Sequence, residues 1–317
     1  MIRAVPTDFW QVGLIPTSIT SFLDPMAIKP MKEQVLWMPD PGPWRYLADP
    51  FGLQRGGLTH VFAEAYDYRT KHAVIEHHEF GPDLRWRQKD IALACPFHLS
   101  YPYIIEEAGE VFMVPESNRM NEIALYRARK FPREWVYETP LLTAVRGADT
   151  SVIKFERGWW MFFTLVGPKA QDQRELHVAT SDTLTGPWQL HPQNPIVSDR
   201  SGARPGGTPF VAADGKLILP VQDCSRTYGG AIRFLRFTEL TRQRIKYEHL
   251  ASAVTGKLIS STHCDGCHTL ASCGDLTLID TKRIVHSWGR YPVDFKRRLL
   301  RVGRALGIRG PARGRIA

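Results

Sequence analysis

Apolar residues along this chain fall in short runs, several with strict alternation, and Gly- or Pro-bearing turns separate one run from the next. That pattern predicts β-strands joined by tight turns rather than long helices. A unit of turn, small residue, strand, Gly-containing turn and second apolar strand can be read five times. The first is YLADPFGLQRGGLTHVFAEAYDY from Tyr46. The second is HLSYPYIIEEAGEVFMVPES from His98, with strands at Tyr103 to Ile105 and Val111 to Val114 around Ala108-Gly109. The third runs from Gly147, where Gly158 supplies the turn before Trp159 to Leu165. The fourth is GGTPFVAADGKLILPVQD from Gly206, with Asp214-Gly215 as a tight-hairpin signal. The fifth, from His268, is shorter and fits less well.

Taking Asp49, Tyr101, Asp149, Thr208 and Thr269 as equivalent points gives spacings of 52, 48, 59 and 61 residues. A propeller blade, a four-stranded sheet with its loops, repeats at about 40 to 60 residues. The expected fold is therefore all-β, a five-bladed β-propeller over residues 1–290, followed by a short basic tail over 291–317. A β-sandwich or a pair of unrelated β-domains shares the alternation but not the five-fold period. In a propeller the innermost strands line one axis, so their first residues meet although they are far apart in sequence.

Composition agrees with this reading and narrows the function. The 317 residues are 43% hydrophobic, with 23 Pro, 25 Gly and 9 Trp, which suits many short strands and excludes wholesale disorder. No apolar stretch is long enough to cross a bilayer as a helix. The N-terminal segment lacks the layout of a secretory signal, and the five cysteines are an odd number, so reduced thiols and a cytoplasmic location are expected. The net charge of +9 is concentrated at one end: Lys296 to Arg315 carries eight basic residues and no acid, leaving the remainder near +1. No nucleic-acid partner is expected from so ordinary a body.

Polar groups stand at the first-strand starts where packing alone would choose apolar ones: Asp49, His98 with Ser100, Asp149, Arg204 and His268. Glycosyl chemistry needs such convergence, because one group protonates the leaving oxygen while a carboxylate activates water or attacks the anomeric carbon. Asp also begins ordinary turns, so either residue alone has a purely structural explanation. The segment QDCSRTYGGAI adds Gln222, Asp223, Arg226 and Tyr228, hydrogen-bonding groups beside a ring. Trp44, Tyr46, Tyr66, Tyr101 and Tyr228 could offer faces to sugar rings, whereas Trp159 and Trp160 are expected between blades.

ADPF at Ala48 and ADTSVIKFERGWWMFFT at Ala148 resemble the base-bearing and modulator-bearing blade starts of the family 43 glycosidases and their relatives. More closely, RYLADPFGL, HVFAEAYDY, HLSYPYIIEEAGEVFMVPES, PVQDCSRTYGGAI and GCHTLASCGD resemble the N-terminal propeller domain of plant glucosamine inositolphosphorylceramide transferase and its bacterial stand-alone relatives. The likeness runs from about Trp44 to Trp288. It implies Asp49 as general base and Asp149 as the carboxylate that tunes and orients. Those glycosidases carry Glu-Gly-Pro at the start of the next blade, whereas this chain reads Arg204-Pro205-Gly206-Gly207. Glu116 and Asp223 are the substitutes for the missing acid, and Arg204 suits an anionic group on the substrate.

Two further motifs bear on partners. Cys264-Asp-Gly-Cys267-His268 has the spacing of c-type haem attachment and of half a zinc site. With no export signal and no fixed set of further ligands, no metal or cofactor is assigned. The tail DFKRRLLRVGRALGIRG places Phe295, Leu299, Val302 and Leu306 at helical spacing, with Lys296, Arg297, Arg301 and Arg304 largely on the remaining surface. Such a helix can lie on an anionic membrane, making the protein peripheral on the inner face, or pack on the propeller with a solvated end. The expected partner is a glycan or sugar-containing substrate, lipid-linked if the tail is membrane-seated. Two functions are carried forward: an enzyme that makes, breaks or transfers a glycosidic bond in cell-surface glycan assembly or remodelling, and a non-catalytic propeller that presents a glycan to a partner glycosyltransferase.

Overall fold

The structure is a computed structural model, and it describes residues 3–167 and 173–305, apart from the side chains of Asn118 and of 300–305. Five antiparallel sheets follow one another around a central axis. Blade one comprises Arg45–Arg55, Leu58–Asp67, His72–Phe80 and Trp86–Leu93. Blade two comprises Ser100–Glu107, Glu110–Glu116, Glu122–Lys130 and Glu134–Thr143. Blade three is built on Gly147–Phe155, Gly158–Leu165 and Glu175–Ser181, with two short outer strands. In blade four the inner strand is broken into Arg204–Pro205 and Phe210–Val211, ahead of Leu217–Asp223, Ala231–Leu240 and Ile245–Thr255.

The fifth blade explains why its repeat reads as short. Its two inner strands, Leu270–Cys273 and Leu276–Ser287, come from the end of the chain, and its outer strands, Val5–Ile15 and Leu36–Trp37, come from the beginning. Val5–Ile15 pairs with Leu276–Ser287 without a break, from Val5 opposite Ser287 to Ile15 opposite Thr277. The ring is thus closed by hydrogen bonds between distant parts of the sequence, which removes two exposed sheet edges. A helix over Arg290–Ala305 follows the last strand.

Alternating apolar residues pack blade against blade. Phe62, Ile75, Met113 and Trp135 fill the space between blades one and two, and Trp160, Phe162, Leu219 and Phe237 that between blades three and four. Trp159 is buried in the cluster that joins the first three blades to the fifth. Short helical turns between Ile19 and Gln34 set Phe22, Ile28 and Met31 against blades four and five.

At the axis the inner strands of blades one, two and three each bulge at the same place, between Ala48 and Phe51, Ser100 and Tyr103, and Ala148 and Ser151. A left-handed residue sits in each bulge: Asp49 (φ 50°), Tyr101 (φ 45°) and Asp149 (φ 49°). The blade-four counterpart is Gly207 (φ 138°), one residue before the Thr208 expected from spacing alone. A Cβ there would lie 1.8 Å from the Leu270 carbonyl oxygen, so only glycine lets blades four and five approach this closely.

Tyr101 ties these points together. Its backbone N–H donates to Asp49 Oδ2 (3.3 Å), and its hydroxyl accepts the Gly207 N–H (2.7 Å) while meeting Ser151 Oγ at 2.9 Å. Ser151 Oγ in turn donates to the Gly207 carbonyl (2.8 Å). Tyr101→Phe would keep the ring and leave the buried Gly207 N–H without its acceptor. Unfolding in denaturant should show a loss of about 1–3 kcal/mol for this variant, and unchanged stability would show that the hydroxyl is not a structural joint.

Candidate active site in the central funnel

The second strand of every blade brings one polar residue to the axis. Glu64 lies opposite Ala48, Glu116 opposite Ser100, Thr164 opposite Ala148 and Gln222 opposite Arg204, while the Asp280 N–H donates to Thr269 O. The intervals from Glu64 to Asp280 are 52, 48, 58 and 58 residues. Each closes or interrupts an apolar run, as in VFAE, FMVPE, MFFT, LPVQ and LTLID, and that is the signal in the sequence. The search for a substitute acid finds Glu116 and the QDCSRTYGGAI segment supplies Gln222, but reading the first-strand starts misses Glu64, Thr164 and Asp280.

Two polar clusters result. In the first, Asp49 Oδ1 accepts the Thr269 hydroxyl (2.9 Å) and lies 3.5 Å from His268 Nε2, and its backbone N–H donates to Asp280 Oδ2 (3.0 Å). His268 Nδ1 is 2.6 Å from Asp280 Oδ2, and the ring stacks on Trp10 with centroids 3.7 Å apart. Glu64 lies close enough to Asp49 for their charges to act on each other, and His98 Nε2 is 3.5 Å from its carboxyl. In the second cluster Arg204 Nε donates to Asp149, and Arg204 Nη2 stands 3.6 Å from Glu116 Oε2. Gln222 Nε2 donates to Asp149 and to the Pro205 carbonyl. The Tyr228 ring bridges the two, 5.2 Å from the Arg204 guanidinium carbon and edge-on to His268.

These groups are buried, and their proton affinities follow from that. Burial pushes Asp49 up from 3.8 to about 6, with His268 pulling it back and Asp149 adding to the rise. Burial likewise pushes Asp149 up to about 6 against the opposing pull of Arg204. Burial, then the neighbouring Asp49 and Glu116 charges, hold Glu64 well above the usual carboxylate range. For His268, burial favours the neutral ring, but Asp280 and Asp49 outweigh it and the affinity rises. His98 is lowered to about 4 by burial, then by His72 and Arg119.

Of the remaining sequence candidates, Ser100 is buried at the blade-two start beside Glu116. Tyr101 corrects an expectation: it has no exposed surface and its ring meets Phe51 edge-on, so it offers no face to a sugar. Asp223 is also turned away. Successive strand residues face opposite sides, so with Gln222 at the axis Asp223 points to an outer groove, where it pairs with Arg233 at 2.8 Å and Arg226 lies exposed. Tyr46 and Tyr66 stack 4.9 Å apart, and burial followed by the Glu64 charge raises the Tyr46 phenol well above its ordinary value. Trp44 lines a groove of about 600 Å³ with Phe9, Trp10, Gln11 and Arg283. Trp10 is shared between this groove and the funnel.

Asp49, His268 and Asp280 bring potential ligand atoms within 4.8 Å of one another. The donor arrangement does not fit a cation. Asp280 Oδ1 accepts the His268 and Thr269 N–H groups at 3.0 Å each, and Oδ2 receives the Asp49 N–H and His268 Nδ1. All of its about four lone-pair sites are engaged. No ligand cluster among the described residues includes a cysteine, and burial holds the Cys267 thiol far from its thiolate form. Chelator treatment should therefore leave the thermal midpoint unchanged, and a midpoint that falls and is restored by a divalent ion would overturn this reading.

The raised carboxyls set a sign for the pH dependence. The folded state holds more protons than the unfolded state between 3.8 and about 6 at Asp49 and Asp149. Their stabilising contribution is therefore full below that window and declines as pH rises through it. Asp49→Asn removes its share of the decline, so the variant should gain on the wild type between about pH 4 and pH 7 by on the order of 1–3 kcal/mol. Denaturant midpoints at the two ends measure it, and a difference that does not change with pH would refute the assignment.

Comparison with known proteins agrees with this architecture. A family model described as the N-terminal region of glucosamine inositolphosphorylceramide transferase 1 matches residues 37–265. The transferase of that name from Oryza sativa subsp. indica is 37% identical over 210 residues, 64% of this chain and 28% of the rice protein. The one from Arabidopsis thaliana is 29% identical over 267 residues, 75% of this chain and 33% of its own length. The chain thus spans a third or less of these relatives. Among solved structures, a family 117 glycoside hydrolase of Zobellia galactanivorans has a TM-score of 0.53 at 10% identity, over 75% of this chain and 85% of its own. An α-L-arabinofuranosidase of Podospora anserina has a TM-score of 0.52 at 12% identity, over 78% and 93%. These two show a shared fold.

Proposed function

The chain belongs to the family defined by the N-terminal region of glucosamine inositolphosphorylceramide transferase 1, and from that premise we propose that it makes, breaks or transfers a glycosidic bond in cell-surface glycan assembly or remodelling, with Asp49 as base or nucleophile. The observation that carries the proposal is the pairing of Asp49 with Glu64. One carboxyl is raised to about 6 and can take a proton near neutrality. The other is pushed by burial well above the usual carboxylate range, which favours the protonated form that can give one. Glycosyl transfer needs both states in one site. Asp149 acts as the electrostatic partner, and Glu116 helps to set its charge.

The charge balance speaks to the substrate. Arg204 is already met by Asp149 and Glu116, so it serves as an internal counter-ion rather than as an anchor for an anion. Five carboxyls, Asp49, Glu64, Glu116, Asp149 and Asp280, face two cations, Arg204 and His268. That excess suits a neutral or amine-bearing sugar, and the relatives' printed name includes glucosamine. The second reading, a propeller that presents a glycan to a partner glycosyltransferase, is favoured by Arg204 standing where the related glycosidases carry an acid. It also accords with the 67% or more of each relative that lies outside the shared part.

A panel of neutral and amino-sugar glycosides separates the two. Catalysis predicts turnover by the wild type and a fall of about 10²–10⁴-fold in Asp49→Asn, with glycan binding by calorimetry retained in both. Binding without turnover in either protein would establish the presenting role instead.

A further inference from the structure

The C-terminal helix is docked the opposite way round from its charge pattern. Arg290 and Arg297 are both 8% exposed and face the propeller. Arg290 lies over the Tyr68 ring at 4.2 Å, and Arg297 Nη1 donates to the Tyr68 carbonyl at 3.0 Å. Asp294 binds both arginines, at 3.1 and 2.6 Å, and the Tyr291 hydroxyl donates to the Arg3 carbonyl at 2.7 Å. The expectation that Arg297 belongs to the solvated surface is therefore corrected, because it has an acid and a carbonyl to meet inside. Val302 has no described side chain, and Leu306 lies outside the described residues.

With two arginines turned inward, the outer surface is apolar. Tyr291 (41% exposed), Phe295 (64%) and Leu299 (55%) follow one another at intervals of four along the helix and so form one stripe, which Trp288 (56%), just before the helix with its ring 6.0 Å from that of Tyr291, extends. Exposed Lys296 and Arg298 flank it, and the helix's one acid is already engaged by the docked arginines. Beyond Asp294 the sequence adds eight basic residues and no acid. Trp and Tyr with a polar edge, followed by Phe and Leu and bordered by cations, is the composition that settles at the interface of an anionic bilayer.

We propose that the Trp288–Leu299 face is a docking surface for an anionic lipid bilayer. No helix among the described residues is long and apolar enough to cross a membrane, so the helix lies in the interface and the propeller stays outside. The placement orients the molecule. The helix leaves from Ser287, at the end of the blades where Arg45 begins the first inner strand and where Tyr68 follows the second. Asp49 lies four residues into that inner strand, so the mouth of the funnel is turned toward the lipid surface.

Flotation of the full chain with vesicles tests this. Phosphatidylserine-containing vesicles should bind it, phosphatidylcholine vesicles should bind at least tenfold less, and raising salt from about 0.05 to 0.5 M should release it through screening. Phe295→Ser with Leu299→Ser should cut binding at least tenfold while the thermal midpoint stays put, since neither side chain packs inside. Lys296→Glu with Arg298→Glu should remove the preference for anionic lipid. Equal binding to both vesicle types, no binding to either, or undiminished binding by the apolar variant would overturn the proposal. So would a wild-type dimer that becomes monomeric in the apolar variant, which would make the stripe an interface between copies.

Discussion

The Tyr101 hydroxyl is the joint on which the axis of this propeller depends. Blades pack through side chains, so directed contacts between them are concentrated where the inner strands converge. There, Asp49 of blade one holds the Tyr101 N–H of blade two, the Tyr101 hydroxyl holds Ser151 of blade three and Gly207 of blade four, and Gly207 pairs with Leu270 of blade five. Asp280 of blade five returns to the Asp49 N–H. The circuit is closed, and it passes through Asp49 and Asp280 of the first polar cluster. Left-handed Asp49 and Asp149 are strained positions for side-chain-bearing residues. The circuit holds Asp49 there, while Glu116, Arg204 and Gln222 hold Asp149, and the same contacts fix both carboxyls in direction.

Burying so many acids in one place requires compensation, because an ionised carboxylate without a partner in a protein interior costs several kcal/mol. Two solutions operate side by side. In the second cluster Arg204 supplies charge, meeting Asp149 directly and Glu116 at longer range. In the first, His268 supplies charge to Asp49 and Asp280, and burial pushes Glu64 toward its protonated form. The two halves therefore differ in kind. In one an arginine offsets the buried acids, although Asp149 is still raised to about 6, and in the other burial favours the protonated carboxyl of Glu64.

Much of this was legible in the sequence, and the misses have physical causes. The period of the repeats, the two axial aspartates and the inter-blade tryptophans follow from local pattern. The closure of blade five does not, because VPTDFWQVGLI reads as an ordinary strand and its partner lies more than 260 residues away. Thr208 was a residue out of step because the spacing cannot show which residue adopts positive φ. Gly207 does so because the Leu270 carbonyl leaves no room for a side chain. Glu64 and Asp280 were hidden within apolar strands whose polar ends read as ordinary strand boundaries. The exposure of Phe295 and Leu299 on one side of the helix follows from its period, whereas the burial of Arg297 does not, since Arg297 is placed by Tyr68 and Asp294 rather than by hydropathy.

The loop carrying Tyr228 connects these features. Gly229 sits at φ 56°, and a Cβ there would be 2.7 Å from both His268 and Trp10, so the loop is pressed against the wall of the funnel. Lys282 reaches the loop from below, bonding Thr227 and the Tyr228 carbonyl, with its ammonium 5.2 Å from the Trp10 ring centre. Trp10 thus has His268 stacked on it, Lys282 beside it, and the groove containing Trp44 along its edge. The Tyr228 ring thus touches both clusters, with the Arg204 guanidinium carbon at 5.2 Å and the His268 ring edge-on to it, and the glycine beside it sets how closely that ring is seated.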